Sequence, residues 1–210
     1  MKILLADDHT ILREGLKQLL SQAFAFSEIA DVADSVDLLK LVYKQRWDVI
    51  ICDISMPPGE SGLEAIKKIK DHSPKTPIII LSQFAPDQYA VRSFKAGASG
   101  YLTKGSAGLE LVAAIKQVMA GKKYLSPDVA LALAEAIENK NKTQNIESLS
   151  DREFEVFKLL AAGKTITEVS TALRLSQTTV STFRVRMFEK MGFQNNHELI
   201  RYAIDNKLID

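Results

Sequence analysis

DISMPPGESGLEA, Asp53 to Ala65, follows directly on the apolar run VIIC at Val49 to Cys52, and this junction decides the fold. An apolar run rich in β-branched residues that ends in a carboxylate and a proline- and glycine-bearing turn reads as a strand buried on both faces, stopping at a polar loop. The stretch after it, with Leu63, Ile66 and Ile69 at helical spacing, reads as an amphipathic helix. Working outward, the same unit repeats. Apolar runs lie at Ile3 to Leu5, Glu28 to Val32, Ile78 to Leu81 and Gly100 to Leu102. Helical faces are marked by Ile11, Leu12, Leu16, Leu19 and Leu20, then by Val36, Leu39, Val42 and Tyr43, then by Val91 and Phe94, and last by Leu111, Val112, Ile115 and Val118. Alternating strands and helices imply parallel pairing with right-handed crossovers and helices on both sides of the sheet. Residues 1–121 are therefore expected to form a doubly wound α/β domain with a five-stranded parallel sheet, of the flavodoxin-like kind.

No strand pattern returns after it. Pro127 to Ile137 reads as a short helix, and Glu138 to Glu147 is polar and aperiodic, so 122–147 is expected to be a helical and polar linker. Residues 148–210 suggest four helices, at Ser150 to Ala162, Ile166 to Leu173, Gln177 to Met191 and His197 to Asn206. Ser150 with Glu153 makes an S-x-x-E capping box, and Gly163 suits the end of the first helix.

Composition excludes several classes. The 27 basic and 26 acidic residues nearly cancel, so any nucleic-acid contact must come from a local surface. The single cysteine, Cys52, rules out an internal disulfide and suits a reducing compartment. Met1 to Ala6 runs straight into two aspartates, unlike a secretory signal, and no stretch approaches the roughly twenty apolar residues of a membrane span. The expected location is the cytoplasm, with no membrane partner.

In an open parallel sheet, ligands bind beyond the carboxyl ends of the strands, where the strand order reverses. Asp7 and Asp8 end the first strand, Asp53 the third and Ser82 the fourth, and Lys104 follows the fifth. Three converging carboxylates repel unless a cation offsets them, and hard oxygen ligands favour magnesium. Asp53 can then act as a carboxylate nucleophile toward a phosphoryl group, with the metal and Lys104 stabilising charge on the equatorial oxygens and Ser82 donating to the product phosphate.

The stretches ADDH at Ala6 to His9, the motif quoted above, LS at Leu81 and Ser82, and GASGYLTKG at Gly97 to Gly105 resemble a response-regulator receiver domain over roughly residues 1–121. The resemblance implies that Asp53 is the phosphoacceptor, and that Asp8, Asp53 and the backbone carbonyl of Ser55 bind Mg2+ with Asp7 in support. It also implies that Ser82 and Tyr101 are a switch pair, in which the hydroxyl moves toward the phosphate and the aromatic ring turns inward. One departure stands out: where the family usually has proline after the lysine, this chain has Gly105. A cis bond before a non-proline residue costs about 3 kcal/mol, so the loop aiming Lys104 is expected to be trans or looser here.

In the second half, the short helix ITEVSTALRL, the break at Ser176 and the longer helix from Gln177 form a helix-turn-helix candidate. Val180, Phe183, Met187 and Met191 fall on the side expected to be core. Thr178, Ser181, Thr182 and Val185, flanked by Arg186, lie opposite and suit close approach to base edges and thymine methyls. Leu149 to Phe193 resembles the four-helix DNA-binding domain of the LuxR and NarL/FixJ families, which implies that Gln177 to Met191 is the recognition helix and that the last helix supports dimerisation. Family members often carry a basic residue near Thr178 or Ser181, and this chain does not. Phosphate neutralisation is therefore expected to fall to Arg184, Arg186 and Lys190, with a dimer on paired half-sites needed for firm binding.

The sequence thus points to a transcriptional regulator, not an enzyme, phosphorylated by a sensor histidine kinase or a small phosphodonor and acting on promoter DNA, as a homodimer once activated. Two rivals remain. A regulator controlled without phosphorylation, through its domain interface or a partner protein, keeps the same residues. An aspartate-based phosphatase shares the acidic kit, but needs its nucleophile in a D-x-D-type motif on the first strand, where Asp7 and Asp8 are adjacent.

Overall fold

The structure is a computed structural model that describes residues 1–25, 28–56, 61–138, 146, 148–206 and 208–209. It divides into two compact units, Met1–Ala136 and Ile137–Asp210. Most of the polar stretch expected as a linker, 138–147, lies outside the described residues.

In the first unit five strands alternate with helices: β1 (Lys2–Ala6), α1 (Thr10–Ala23), β2 (Glu28–Val32), α2 (Ser35–Lys44), β3 (Val49–Asp53), α3 (Gly62–His72), β4 (Ile78–Ser82), α4 (Pro86–Ala96), β5 (Gly100–Thr103) and α5 (Ala107–Met119), followed by α6 (Pro127–Glu138). The strands are all parallel, in the order β2-β1-β3-β4-β5. This is the doubly wound sheet expected from the sequence. β3 and β4 are buried at every position because helices cover both faces. Ile3, Leu5, Val49, Ile51, Ile79 and Leu81 point to one face and pack with Leu16, Leu20, Leu111, Ile115 and Val118 of α1 and α5. The alternate residues, Leu4, Ile50, Ile78 and Ile80, serve the opposite face, where α2, α3 and α4 lie side by side.

Several expected core positions are displaced. Ile11 is 90% exposed, and Val36 and Tyr43 are exposed as well. α2 buries Ser35 and Leu38 beside the expected Val42, and α4 buries Tyr89, Ala90 and Ser93 while Val91 and Phe94 are half-buried. A helix laid on a sheet buries a narrow stripe, and neighbouring apolar residues fall outside it.

The second unit holds, among the described residues, α7 (Asp151–Ala161), α8 (Ile166–Leu173), α9 (Gln177–Met191) and α10 (Asn196–Asp205). Each start is capped by a side chain. Ser150 and Thr165 form full capping boxes with Glu153 and Glu168, Ser176 accepts from the Thr179 amide, and Asn195 from that of Glu198. α8, α9 and α10 all pack on α7, burying Phe154, Phe157, Val169, Val180, Met187 and Leu199. Phe183, expected in this core, is half-buried.

Candidate functional site

The strand order reverses between β1 and β3, and both strands end there in carboxylates. Asp7, fully buried, follows β1; Asp53, 3% exposed, closes β3. Lys104 arrives from the end of β5, where its amide donates to the Ser82 carbonyl at 2.7 Å. Its ammonium lies 2.7 Å from Asp53 Oδ2 and 2.8 Å from Asp7 Oδ2. Gly105 therefore does not keep Lys104 from the acidic cluster. The Ser55 amide donates to Asp53 Oδ1, placing the turn after Asp53 against its carboxylate.

Burial pushes Asp53 up to about 6, against the opposing pull of Lys104. Burial also acts to lower Lys104, but Asp53 and Asp7 outweigh it, so the net direction for the ammonium is up. Cys52, next to Asp53, is fully buried, and burial raises its thiol well out of the reactive range.

One lysine does not satisfy all the oxygens. Asp7 Oδ2 and Asp8 Oδ1 are buried without a well-formed hydrogen bond, although Lys104 and His9 lie within ion-pair distance of them. Ligand atoms of Asp7, Asp8, His9 and Asp53 all lie within 4.8 Å of one another. Under-satisfied hard oxygens in this arrangement fit a divalent cation of the magnesium type. His9 was not singled out by the sequence. Its amide and Nδ1 both reach Asp7 Oδ1, and Nδ1 lies 3.1 Å from the Lys104 ammonium.

Ser82, at the end of β4, is fully buried, and its hydroxyl accepts from the Phe84 amide at 3.0 Å. The Tyr101 side chain also lies within hydrogen-bonding reach of this hydroxyl. Tyr101 is also fully buried, and its hydroxyl donates to the Phe84 carbonyl at 2.9 Å.

In the second unit, α8, the turn at Arg174–Ser176 and α9 make a helix-turn-helix. Thr178, Ser181, Thr182, Val185 and Arg186 are exposed together on α9, opposite the buried Val180, Met187 and Met191. Lys190 does not stand free beside them. It donates to Glu153 Oε2 at 2.6 Å, the oxygen that also accepts from the Ser150 amide.

Residues 3–116 match the response regulator receiver domain, and residues 147–203 match the bacterial regulatory proteins of the luxR family. Over its whole length the chain is 34% identical to all of the oxygen regulatory protein NreC of Staphylococcus epidermidis (strain ATCC 12228 / FDA PCI 1200), and 35% identical to that of Staphylococcus aureus (strain JH9). The chain belongs to the NarL/FixJ response regulators. Among solved structures it is similar to the regulator RcsB from Salmonella enterica serovar Typhimurium, bound to a promoter in the presence of a beryllium fluoride phosphomimetic. That match has 28% identity, covers 97% of each chain and has a TM-score of 0.61. A two-component response regulator of the LuxR family from Aurantimonas sp. SI85-9A1 matches at 35% identity over 65% of this chain and 96% of its own, with a TM-score of 0.60.

This response regulator is a DNA-binding transcription regulator by family, and its receiver carries the acidic pocket at which receiver domains bind Mg2+. No described helix is long and apolar enough to cross a membrane. Its Glu153 has two tasks, closing the capping box of α7 and anchoring Lys190 of α9. Burial works to raise the Glu153 carboxyl, and Lys190 with the Ser150 amide brings it down on balance. Glu153→Ala is expected to destabilise the helical unit by about 1–3 kcal/mol, read as a lower thermal midpoint. Lys190→Ala should lose less, because the capping box survives. Equal melting of native and Glu153→Ala chains would contradict both tasks.

Proposed function

We propose that the chain accepts a phosphoryl group on Asp53 from a sensor histidine kinase or a small phosphodonor, and as a homodimer binds promoter DNA in the cytoplasm. The observation that carries this reading is the Lys104 ammonium seated between Asp7 and Asp53 at the switch point of the sheet. An Asp53 oxygen attacks phosphorus as the bond to the donor, P–N in a phosphohistidine, breaks and the leaving group departs with the electron pair. Lys104 faces the developing negative charge and needs no reorganisation to do so. Asp8, Asp53 and the Ser55 carbonyl, with Asp7 in support, would hold Mg2+, which supplies further charge neutralisation on the phosphoryl oxygens. Ser82 turns its hydroxyl proton to the product phosphate. The exposed face of Thr178, Ser181, Thr182 and Val185 meets base edges, and Arg184 and Arg186 meet phosphates.

Tyr101, buried with its hydroxyl on the Phe84 carbonyl, is the aromatic partner of Ser82 in this switch, and phosphorylation biases the balance between its two arrangements.

The test is incubation with a small-molecule phosphodonor and Mg2+, followed by intact mass and light scattering, for the native chain and Asp53→Ala. A single phosphate gained by the native chain only, with a shift toward dimer, is the expected result. No gain with any donor would overturn phosphorylation control, and gain without change of mass in solution would overturn dimerisation as its output.

A further inference from the structure

α9 carries two arginines near its exposed face, and they are not equivalent. Arg186 is exposed. Arg184, two residues earlier, is half-buried and fixed by two neighbours. Its Nη2 and Nε reach Asn196 Oδ1 in the first turn of α10, at 3.0 and 3.4 Å, and its guanidinium carbon lies 4.4 Å over the Phe188 ring. It makes no ion pair with a described carboxylate. A guanidinium has five N–H donors in a rigid fork. Asn196 engages one edge, leaving Nη1 and the rest of Nη2 to a further partner. Arg184 borders an open notch of about 330 Å³ whose lining also includes Val185 of the exposed stripe, with Phe188, Gly192 and Gln194, and Glu189 as its acidic member. An arginine packed on an aromatic ring and gripped on one edge has given up most of its rotamer freedom before any ligand arrives.

We infer that Arg184 is a preset clamp for a DNA phosphate and that Asn196, at the start of α10, is the residue that positions it. The inference rests on the DNA-binding reading and goes further, because it assigns a task to a helix outside the helix-turn-helix. Planar, bidentate donation to two oxygens of one phosphate suits the free edge, and no cation is available from Lys190, which is held by Glu153. Phe188 shields the guanidinium from water on one face and so strengthens the contact.

The experiment is fluorescence anisotropy of the full chain on a labelled random-sequence DNA duplex over a range of salt concentrations. Native protein is compared with Arg184→Ala, Asn196→Ala, Asn196→Asp and the double variant Arg184→Ala with Asn196→Ala. Arg184→Ala should weaken binding and make the slope of log affinity against log salt shallower by about one, the loss of one phosphate contact. Asn196→Ala keeps the charge and loses only its positioning. It should weaken binding by about two- to tenfold with an unchanged slope, and Asn196→Asp, which retains the acceptor oxygen, should recover most of that loss. The double variant should match Arg184→Ala alone, because a positioning residue has nothing left to position. Thermal melts of all four variants identify any general unfolding, and a variant that melts like native but binds as described supports the clamp. Native affinity and slope in Arg184→Ala, or additive losses in the double variant, would overturn the clamp while leaving DNA binding intact. A native chain without salt-dependent affinity for duplex would overturn both readings.

Discussion

Lys104→Ala is expected to destabilise the metal-free receiver by about 3–5 kcal/mol at pH 8 and to slow phosphoryl acceptance by about a hundredfold or more. Asp7 and Asp53 are buried, and Lys104 contacts both. Taking it away leaves two desolvated carboxylates facing each other, and that uncompensated burial outweighs the loss of a single ion pair. The pH dependence has a definite sign. Asp53 is raised by burial from an ordinary 3.8 to about 6, so the native state holds this proton more tightly than the unfolded chain. Its contribution to stability is fully present below about pH 4 and is lost as pH rises through about 6. Without Lys104 the cause that opposes the shift is gone, and the window moves upward. Urea unfolding in chelator should therefore show a smaller gap between variant and native protein at pH 5.5 than at pH 8. Adding Mg2+ at pH 8 should return part of the loss, since a divalent cation takes over the neutralisation. A gap independent of both pH and Mg2+ would mean that Lys104 acts through packing and not through charge.

The architecture was legible because strands buried on both faces advertise themselves. Val49 to Cys52 and Ile78 to Leu81 have no polar residue to confuse the reading, and the residue that follows each run lies at the site. Helix faces were less legible. Ile11, Val36 and Tyr43 are apolar and at helical spacing, yet they lie outside the stripe that touches the sheet, and apolar character alone does not tell inside from outside. The acidic cluster could be assembled from strand ends alone, since topology brings Asp7, Asp53, Ser82 and Lys104 to one edge whatever their sequence separation. What stayed hidden depends on individual side chains or on close backbone approach. Lys190 reads as a free helical cation because its partner, Glu153, is 37 residues away on another helix. The grip of Asn196 on Arg184 joins two helices whose relative placement no spacing encodes. His9 sits inside the ADDH stretch without any periodicity to single it out. Gly62 carries no spacing signal of its own, and its constraint comes from the backbone at Asp53 and Ile54.

Gly62→Ala is expected to destabilise the receiver by about 3 kcal/mol or more and to impair phosphoryl acceptance with Asp53 still in place. A Cβ at this position would lie 2.1 Å from the Asp53 carbonyl oxygen and 2.8 Å from the Ile54 Cα, both backbone atoms that cannot swing aside as a flexible side chain would. α3 cannot retreat. Its first residue donates to the Ile54 carbonyl at 2.7 Å, Ser61 caps the Glu64 amide, and Leu63, Ile66 and Ile69 bury it beside the sheet. The displacement must pass into the chain at Asp53 to Ser55, the segment that carries the nucleophile and the carbonyl proposed for Mg2+. Gly108→Ala is the matched control. Gly108 lies in the first turn of α5 with nothing within 4 Å of its Cβ position, so alanine there should be neutral or stabilise by up to about 1 kcal/mol through helix propensity. Urea midpoints with and without Mg2+, and phosphate gain followed by intact mass, separate the two substitutions. Comparable stability and phosphate gain in both variants would show that the β3–α3 junction yields, and that the close approach of Gly62 to Asp53 places no demand on the site.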